Sequence, residues 1–244
     1  MEDQQCSLSK RLAAVFLHCV RRLEKHMKTI LIGNKSADTV LVQITGDHEM
    51  SFLEEEVSHI RTLTGTDDFL LAAVIEDDWN EELSPWKAPP AFGTEGFGDG
   101  AAKTLSLLRD GIQPFLDARK EGTIQKIFLG GYSLAGLFSL WAAGRADIFD
   151  GVAAVSPSVW FPGYMEYARG EVLQADTVYL SLGDKEEKTR NQVMSRVGDS
   201  IRELYRILEE NGTECILEWN PGNHFREPDL RMAKGFAWLL NSGG

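Results

Sequence analysis

Cysteine is scarce in this sequence: Cys6, Cys19 and Cys215 are its three, far apart and without a CxxC pair. Their odd number and spacing argue against a disulfide framework or paired zinc ligands, and they read as reduced, packed thiols. Basic residues are also in deficit, 25 against 37 acidic ones, for a formal charge of -12. Such a chain repels polyanions, which argues against nucleic acid or an anionic membrane as a partner. No internal repeat, low-complexity tract or Gly/Ser/Pro-rich linker divides the 244 residues, so one domain with a full core is expected. The apolar run "LAAVFLHCV", Leu12 to Val20, is flanked by Lys10, Arg11, Arg21 and Arg22 and contains His18. It lacks a small-residue cleavage site, and a cytoplasmic address follows as the expectation.

What is present is alternation. Residues 1–27 read as an amphipathic N-terminal helix, with Leu8, Leu12, Val15, Phe16, Cys19 and Leu23 at helical spacing. Residues 28–244 read as a single α/β domain. "KTILIG" and "TVLVQITG", separated by "NKSAD", suit an antiparallel hairpin. Ser51 with Glu54 has the spacing of a capping box at the start of the next helix. Strands at "FLLAAVIE", "IQKIFLGG", "GVAAVS", "TVYLSLG" and "ECILEWN" alternate with helices near 101–118, 134–145, 189–210 and 229–240. That rhythm implies a mostly parallel sheet with helices on both faces and ligands at the carboxyl edge of the strands. The long irregular segment 77–100, with Trp79 and Trp86, is of a length that usually serves function.

At such an edge, "FLGGYSLAGLFSL" sets Ser133 on the turn from strand to helix. Gly131 precedes it by two residues and Ala135 follows by two, a G-x-S-x-A variant of the G-x-S-x-G elbow. The helix start aims the Leu134 amide at any oxyanion formed beside Ser133. A serine nucleophile on this architecture needs an acid and then a histidine downstream. His224, in the loop "WNPGNHFREP", is the only histidine after Ser133. Asp184 and Glu186, in "GDKEEKTRN", are the candidate acids, with Glu186 having the longer reach and Glu187 read as a solvated charge. Gly46 and Asp47, after the second strand, are candidates for the second oxyanion donor. The aromatic residues Trp79, Trp86, Trp160 and Phe225 suit the walls of an apolar acyl or aryl pocket.

Taken together, "GGYSLAG", "DIFDGVAAVSPSVWFPG", "LSPWKAP" and "YLSLGDKE" resemble the esterase D and enterochelin-esterase-like branch of the α/β-hydrolase superfamily, across most of the chain after about Thr29. The second stretch carries an F-x-G-x-x-x-x-S-P-S-x-W pattern that recurs there. The resemblance implies the α/β-hydrolase fold and a serine-dependent acyl hydrolase, with Ser133 as nucleophile, His224 as base and the "GDKE" loop as acid. Members resemble esterases for siderophore lactones, S-formylglutathione, feruloyl groups or simple acyl esters. A triscatecholate would want cations near the site, whereas "EDDWNEELSPW" is acidic, which speaks against siderophore hydrolysis.

The expectation is therefore a serine esterase acting on a small-molecule ester or thioester through an acyl-enzyme, without metal or cofactor, as a monomer or homodimer. Two other readings stand beside it: acyl transfer by the same residues to an acceptor other than water, and a catalytically silent fold reused for binding.

Overall fold

The computed structural model describes residues 27–242. The expected N-terminal helix therefore lies outside the described residues, apart from Met27, which is buried. Seven strands form one sheet: β1 (Thr29–Gly33), β2 (Thr39–Thr45), β3 (Leu70–Ile75), β4 (Lys126–Tyr132), β5 (Gly151–Val155), β6 (Thr177–Gly183) and β7 (Glu214–Asn220). Their spatial order is β1-β3-β2-β4-β5-β6-β7, with every pairing parallel except β1 with β3. The antiparallel neighbour expected at the start of the domain exists, but β1 and β2 are not a hairpin, because β3 lies between them. Burial explains the choice. β2 is apolar on both faces and almost wholly buried, so it belongs inside the sheet, whereas the half-buried β1 tolerates the edge.

Among the described residues six longer helices flank the sheet, α1 (Leu53–Thr64), α2 (Ala101–Lys120), α3 (Leu134–Ala143), α4 (Tyr164–Gly170), α5 (Val197–Glu210) and α6 (Pro228–Asn241), and a single helical turn, Trp79–Glu82, lies in the 77–100 segment. The strand period of two divides the core. Val40, Val42 and Ile44 of β2 join Leu108, Ile112 and Phe115 of α2 and Ile201 and Leu204 of α5 on one face. Leu41 and, from β3, Leu71 and Ala73 join Val57 and Ile60 of α1 and Met232 and Phe236 of α6 on the other. Among the described residues no helix is long and apolar enough to cross a membrane. Cys215 is partly buried, and burial pushes its thiol up to about 11, in keeping with a packed rather than reactive thiol.

Two helix starts differ from their sequence expectation. A 3₁₀ turn, Asp47–Phe52, precedes α1, and Glu49 rather than Glu54 reaches back, accepting the Gly46 N–H at 3.3 Å and the Thr45 hydroxyl at 2.7 Å. The helix expected from Thr189 begins only at Val197. Asn191 Oδ1 accepts the amides of Val193 and Met194, and Thr189 Oγ1 accepts that of Asn191. These local side-chain bonds compete with the helical ladder and hold the segment open.

On the face shared by α1 and α6, Glu56 is buried with one partner, Gln43, whose Nε2 donates to its Oε2 at 3.1 Å. Gln43 Oε1 and Glu56 Oε1 are buried without a partner among the described residues. Burial pushes the Glu56 carboxyl well above the usual carboxylate range, with Glu49 and Asp229 adding to the rise against the Gln43 bond. The folded state then holds a proton that the unfolded chain releases, so stability falls as pH rises from the unfolded value near 4.5 through the raised folded one. Glu56→Gln is expected to raise the thermal midpoint at pH 8 by about 3 °C, for roughly 1 kcal/mol regained in a chain this size. The gain should shrink as the pH approaches 4.5. Thermal scans of both proteins across that range check it, and an equal gain at every pH would mean that ionisation of Glu56 is not the cause.

Candidate active site

The site lies at the carboxyl edge of β4, β6 and β7. Ser133 joins β4 directly to α3 and sits at φ 56°, ψ -118°, a strained region for a residue with a side chain, and costs of order 1–3 kcal/mol are usual there. The turn closes only because Gly131 has no Cβ: one built there would lie 2.6 Å from the backbone carbon of Ala135. Ala135, at the last position of the elbow, is fully buried.

His224 reaches over from the β7–α6 loop. Its Nε2 lies 3.0 Å from Ser133 Oγ, and its Nδ1 lies 2.7 Å from Glu186 Oε2. A carboxylate accepts only, so Nδ1 carries the hydrogen and Nε2 is left to accept from the serine hydroxyl. Of the two candidate acids, Glu186 is the one on His224. Asp184 instead accepts the Gly222 amide at 2.8 Å, bracing the loop that carries the histidine. Glu187 is held by Arg202 through bonds of 2.8 and 3.0 Å.

Glu186 is almost wholly buried. Burial pushes its carboxyl up, but bonds from His224, Ser156 Oγ and the Gly183 amide, together with the charge of His224, outweigh that and leave it below the usual range. Its second oxygen, Oε1, accepts from three groups: Ser156 Oγ at 2.7 Å, Gly183 N at 2.7 Å and Arg231 at 3.2 Å. Arg231, from α6, is 2 % exposed. It also donates to Tyr132 Oη at 3.2 Å and to the carbonyls of Pro221 and Asn223 at 3.1 and 3.0 Å. Tyr132 in turn donates to the His224 carbonyl at 2.7 Å. One buried guanidinium thus ties the acid and the histidine loop together.

Arg231 has no place in the sequence reading, because an arginine on an amphipathic helix looks like a solvated charge. The two serines of "SPSVW" were legible only as part of a pattern. In space Ser156, at φ 44°, points to Glu186, and Ser158 Oγ lies 3.4 Å from Ser133 Oγ.

The two sides of the expected oxyanion site differ. Leu134 is the first residue of α3, so its N–H is one of the donors a helix start leaves unpaired. The Gly46 N–H is already given to Glu49, which leaves Asp47 as the remaining candidate from that loop. The Asp47 carboxylate pairs with Lys28 at 2.6 Å.

The four aromatic residues also divide. A cavity of about 300 Å³ beside His224 is lined by Trp160 and Phe225 together with Glu186, Lys185, Lys188 and Met194, among others. Trp79 and Trp86 do not line it. Trp79 stands edge-on to His48, with ring centres 5.8 Å apart, and Trp86 donates its Nε1–H to the Pro162 carbonyl at 2.7 Å while packing on Phe161 and Tyr167. Both aromatic side chains therefore serve packing of the 77–100 segment in this arrangement. Phe225, by contrast, is 85 % exposed. Among the described residues one trio could hold a metal ion, Glu55, His59 and Asp229, with ligand atoms within 4.8 Å of one another. It sits where α1 meets α6 and shares no residue with the Ser133 cluster.

Solved structures share this architecture. The siderophore hydrolase EstA from Aspergillus nidulans superposes with a TM-score of 0.67 at 18% identity, covering 90% of this chain and 95% of the other. The IroE-like serine hydrolase from Shewanella oneidensis gives 0.70 at 14% identity, over 88% and 76%. This chain has the α/β-hydrolase fold. A Bacillus cereus carboxylesterase shares the same α/β-hydrolase architecture with a TM-score of 0.58 at 14% identity, over 91% and 98% of the two chains. No family model matches the sequence, and no curated protein matches it.

Proposed function

We propose that this protein hydrolyses a small carboxylic ester or thioester through an acyl-enzyme. The observation that carries the reading is the continuous relay Ser133 Oγ, His224 Nε2, His224 Nδ1, Glu186 Oε2, with spacings of 3.0 and 2.7 Å. Ser133 Oγ attacks the carbonyl carbon while its proton passes to His224 Nε2, and Glu186 stabilises the imidazolium that forms. The Leu134 amide, with Asp47 opposite, holds the oxyanion of the tetrahedral species. Collapse breaks the bond to the leaving group, which takes the proton from Nε2. Water then repeats the sequence and releases the acid. The neighbouring esterases and siderophore hydrolases support ester chemistry as the class, and the relay supports serine as the nucleophile.

A panel of nitrophenyl esters from acetyl to octanoyl, run on wild type and Ser133→Ala, tests the reading. Turnover by the wild type is expected to fall by at least about 10³-fold in the variant, with its thermal unfolding retained. A fluorophosphonate should label the wild type at Ser133 and leave the variant unmarked. Equal turnover by both proteins would end the proposal.

A further inference from the structure

The cavity beside His224 has a side and a charge. Its walls include His224 and Glu186 but not Ser133. In collapse of the tetrahedral species, the histidine hands its proton to the departing oxygen, so the leaving group lies on the histidine side and the acyl group on the serine. Space bordered by His224 without Ser133 is therefore leaving-group space.

The charge comes from the stretch of chain that follows β6. Between Lys185 and Arg196 the chain carries Lys185, Lys188, Arg190 and Arg196 against Glu186 and Glu187. Both acids are already engaged, Glu186 by His224 and Arg231, and Glu187 by Arg202. Lys185 and Lys188 are exposed at the cavity wall, and among the described residues neither ammonium is held in an ion pair or a side-chain hydrogen bond. A chain with a net charge of -12 thus presents two exposed cations among the residues that line the cavity. The acidic loop that spoke against siderophore hydrolysis does not contribute to these walls. Trp160, Met194, Val197 and Phe225 line the same cavity and supply apolar surface.

We infer that the cavity takes the leaving group of the ester, and that this leaving group pairs an apolar or aryl body with an oxyanion such as a carboxylate. The inference rests on the ester-hydrolase reading above. Hydrolysis then releases the oxyanion-bearing alcohol or thiol from the cavity, and the acyl group departs from Ser133 as its acid.

Two esters with the same acetyl group test it: 4-acetoxybenzoate, whose leaving group is anionic, and its methyl ester, whose leaving group is neutral. The quantity read is the ratio of kcat/KM for the anionic over the neutral ester, compared between proteins so that intrinsic reactivity cancels. In Lys185→Ala/Lys188→Ala the ratio should fall about five- to tenfold from wild type, as expected for losing two solvent-facing charge interactions. Added salt should lower the wild-type ratio toward that of the variant. Arg61→Ala/Lys120→Ala removes the same charge at exposed positions away from the cavity and should keep the wild-type ratio. An unchanged ratio in the lysine variant, or an equal fall in the control pair, overturns the inference while leaving ester hydrolysis standing. Turnover of neither ester, with no fluorophosphonate labelling of Ser133, overturns the ester reading and this inference with it.

Discussion

Glu186→Gln is expected to lower kcat by about 10⁴-fold, the scale seen when the orienting carboxylate of such a relay becomes an amide. The surroundings dictate how the new amide sits. The Oε1 position receives three donors, from Ser156, the Gly183 amide and Arg231, so the glutamine oxygen must take that place. Its NH₂ is then turned to His224 Nδ1, where the carboxylate had accepted a bond of 2.7 Å. A donor facing Nδ1 selects the tautomer with hydrogen on Nε2, and that nitrogen can no longer accept the serine proton. KM for a nitrophenyl ester should stay near the wild-type value, since no cavity wall other than this one atom changes. Asp184→Asn, by contrast, should alter kcat by no more than about threefold, because Asp184 touches Gly222 rather than the imidazole. Steady-state kinetics on the two variants measure the difference. A loss under tenfold in Glu186→Gln would remove Glu186 from the orienting role.

The second large effect is on stability. Arg231→Met should cost about 3–5 kcal/mol, the range for breaking a buried charge pair from one side. The methionine fills much of the volume but leaves Glu186 Oε1 without its cation, the Pro221 carbonyl without the Arg231 donor, and the Asn223 carbonyl with only the longer bond of 3.3 Å from the Arg226 amide. Denaturant unfolding reads this as a lower midpoint with little change in slope. Under the proposed relay Arg231 touches no reacting atom, and its predicted role is that of a positioning residue. Its kinetic signature follows from electrostatics: removing a buried cation 3.2 Å from the carboxylate raises the Glu186 pKa. Activity requires the ionised acid, so the acid limb of the pH–rate profile should move to higher pH. Arg231→Lys, which keeps the charge but cannot span both carbonyls and the carboxylate, should recover the profile more fully than the stability. A profile identical to wild type in Arg231→Met would reduce the residue to packing.

The serine elbow was readable because it is local: Gly131, Ser133 and Ala135 lie within five residues, and each is required by one tight turn. His224 was readable because the chain order leaves it as the only histidine downstream. The strands β2 to β6 were readable because strands buried on both faces have to be apolar runs. The acid could be narrowed to one loop but not to one residue, since Asp184 and Glu186 are two positions apart and only the path of the β6–β7 edge decides which carboxylate meets the imidazole.

By its residues alone, then, this chain determined its class of architecture, and short contiguous stretches pointed to the serine and histidine that the fold brings to 3.0 Å of each other. Tertiary structure decided what depends on distant segments meeting. It placed β1 beside β3 instead of β2, with the longer β2 almost wholly buried inside the sheet and the shorter, half-buried β1 at its edge. It removed Trp79 and Trp86 from the cavity and occupied the Gly46 amide with Glu49, outcomes set by packing that composition does not encode. It also buried Arg231, 45 residues along the chain from Glu186, against that acid. A charge enters a core only where partners from several elements converge to satisfy it, and that convergence exists only in the folded chain.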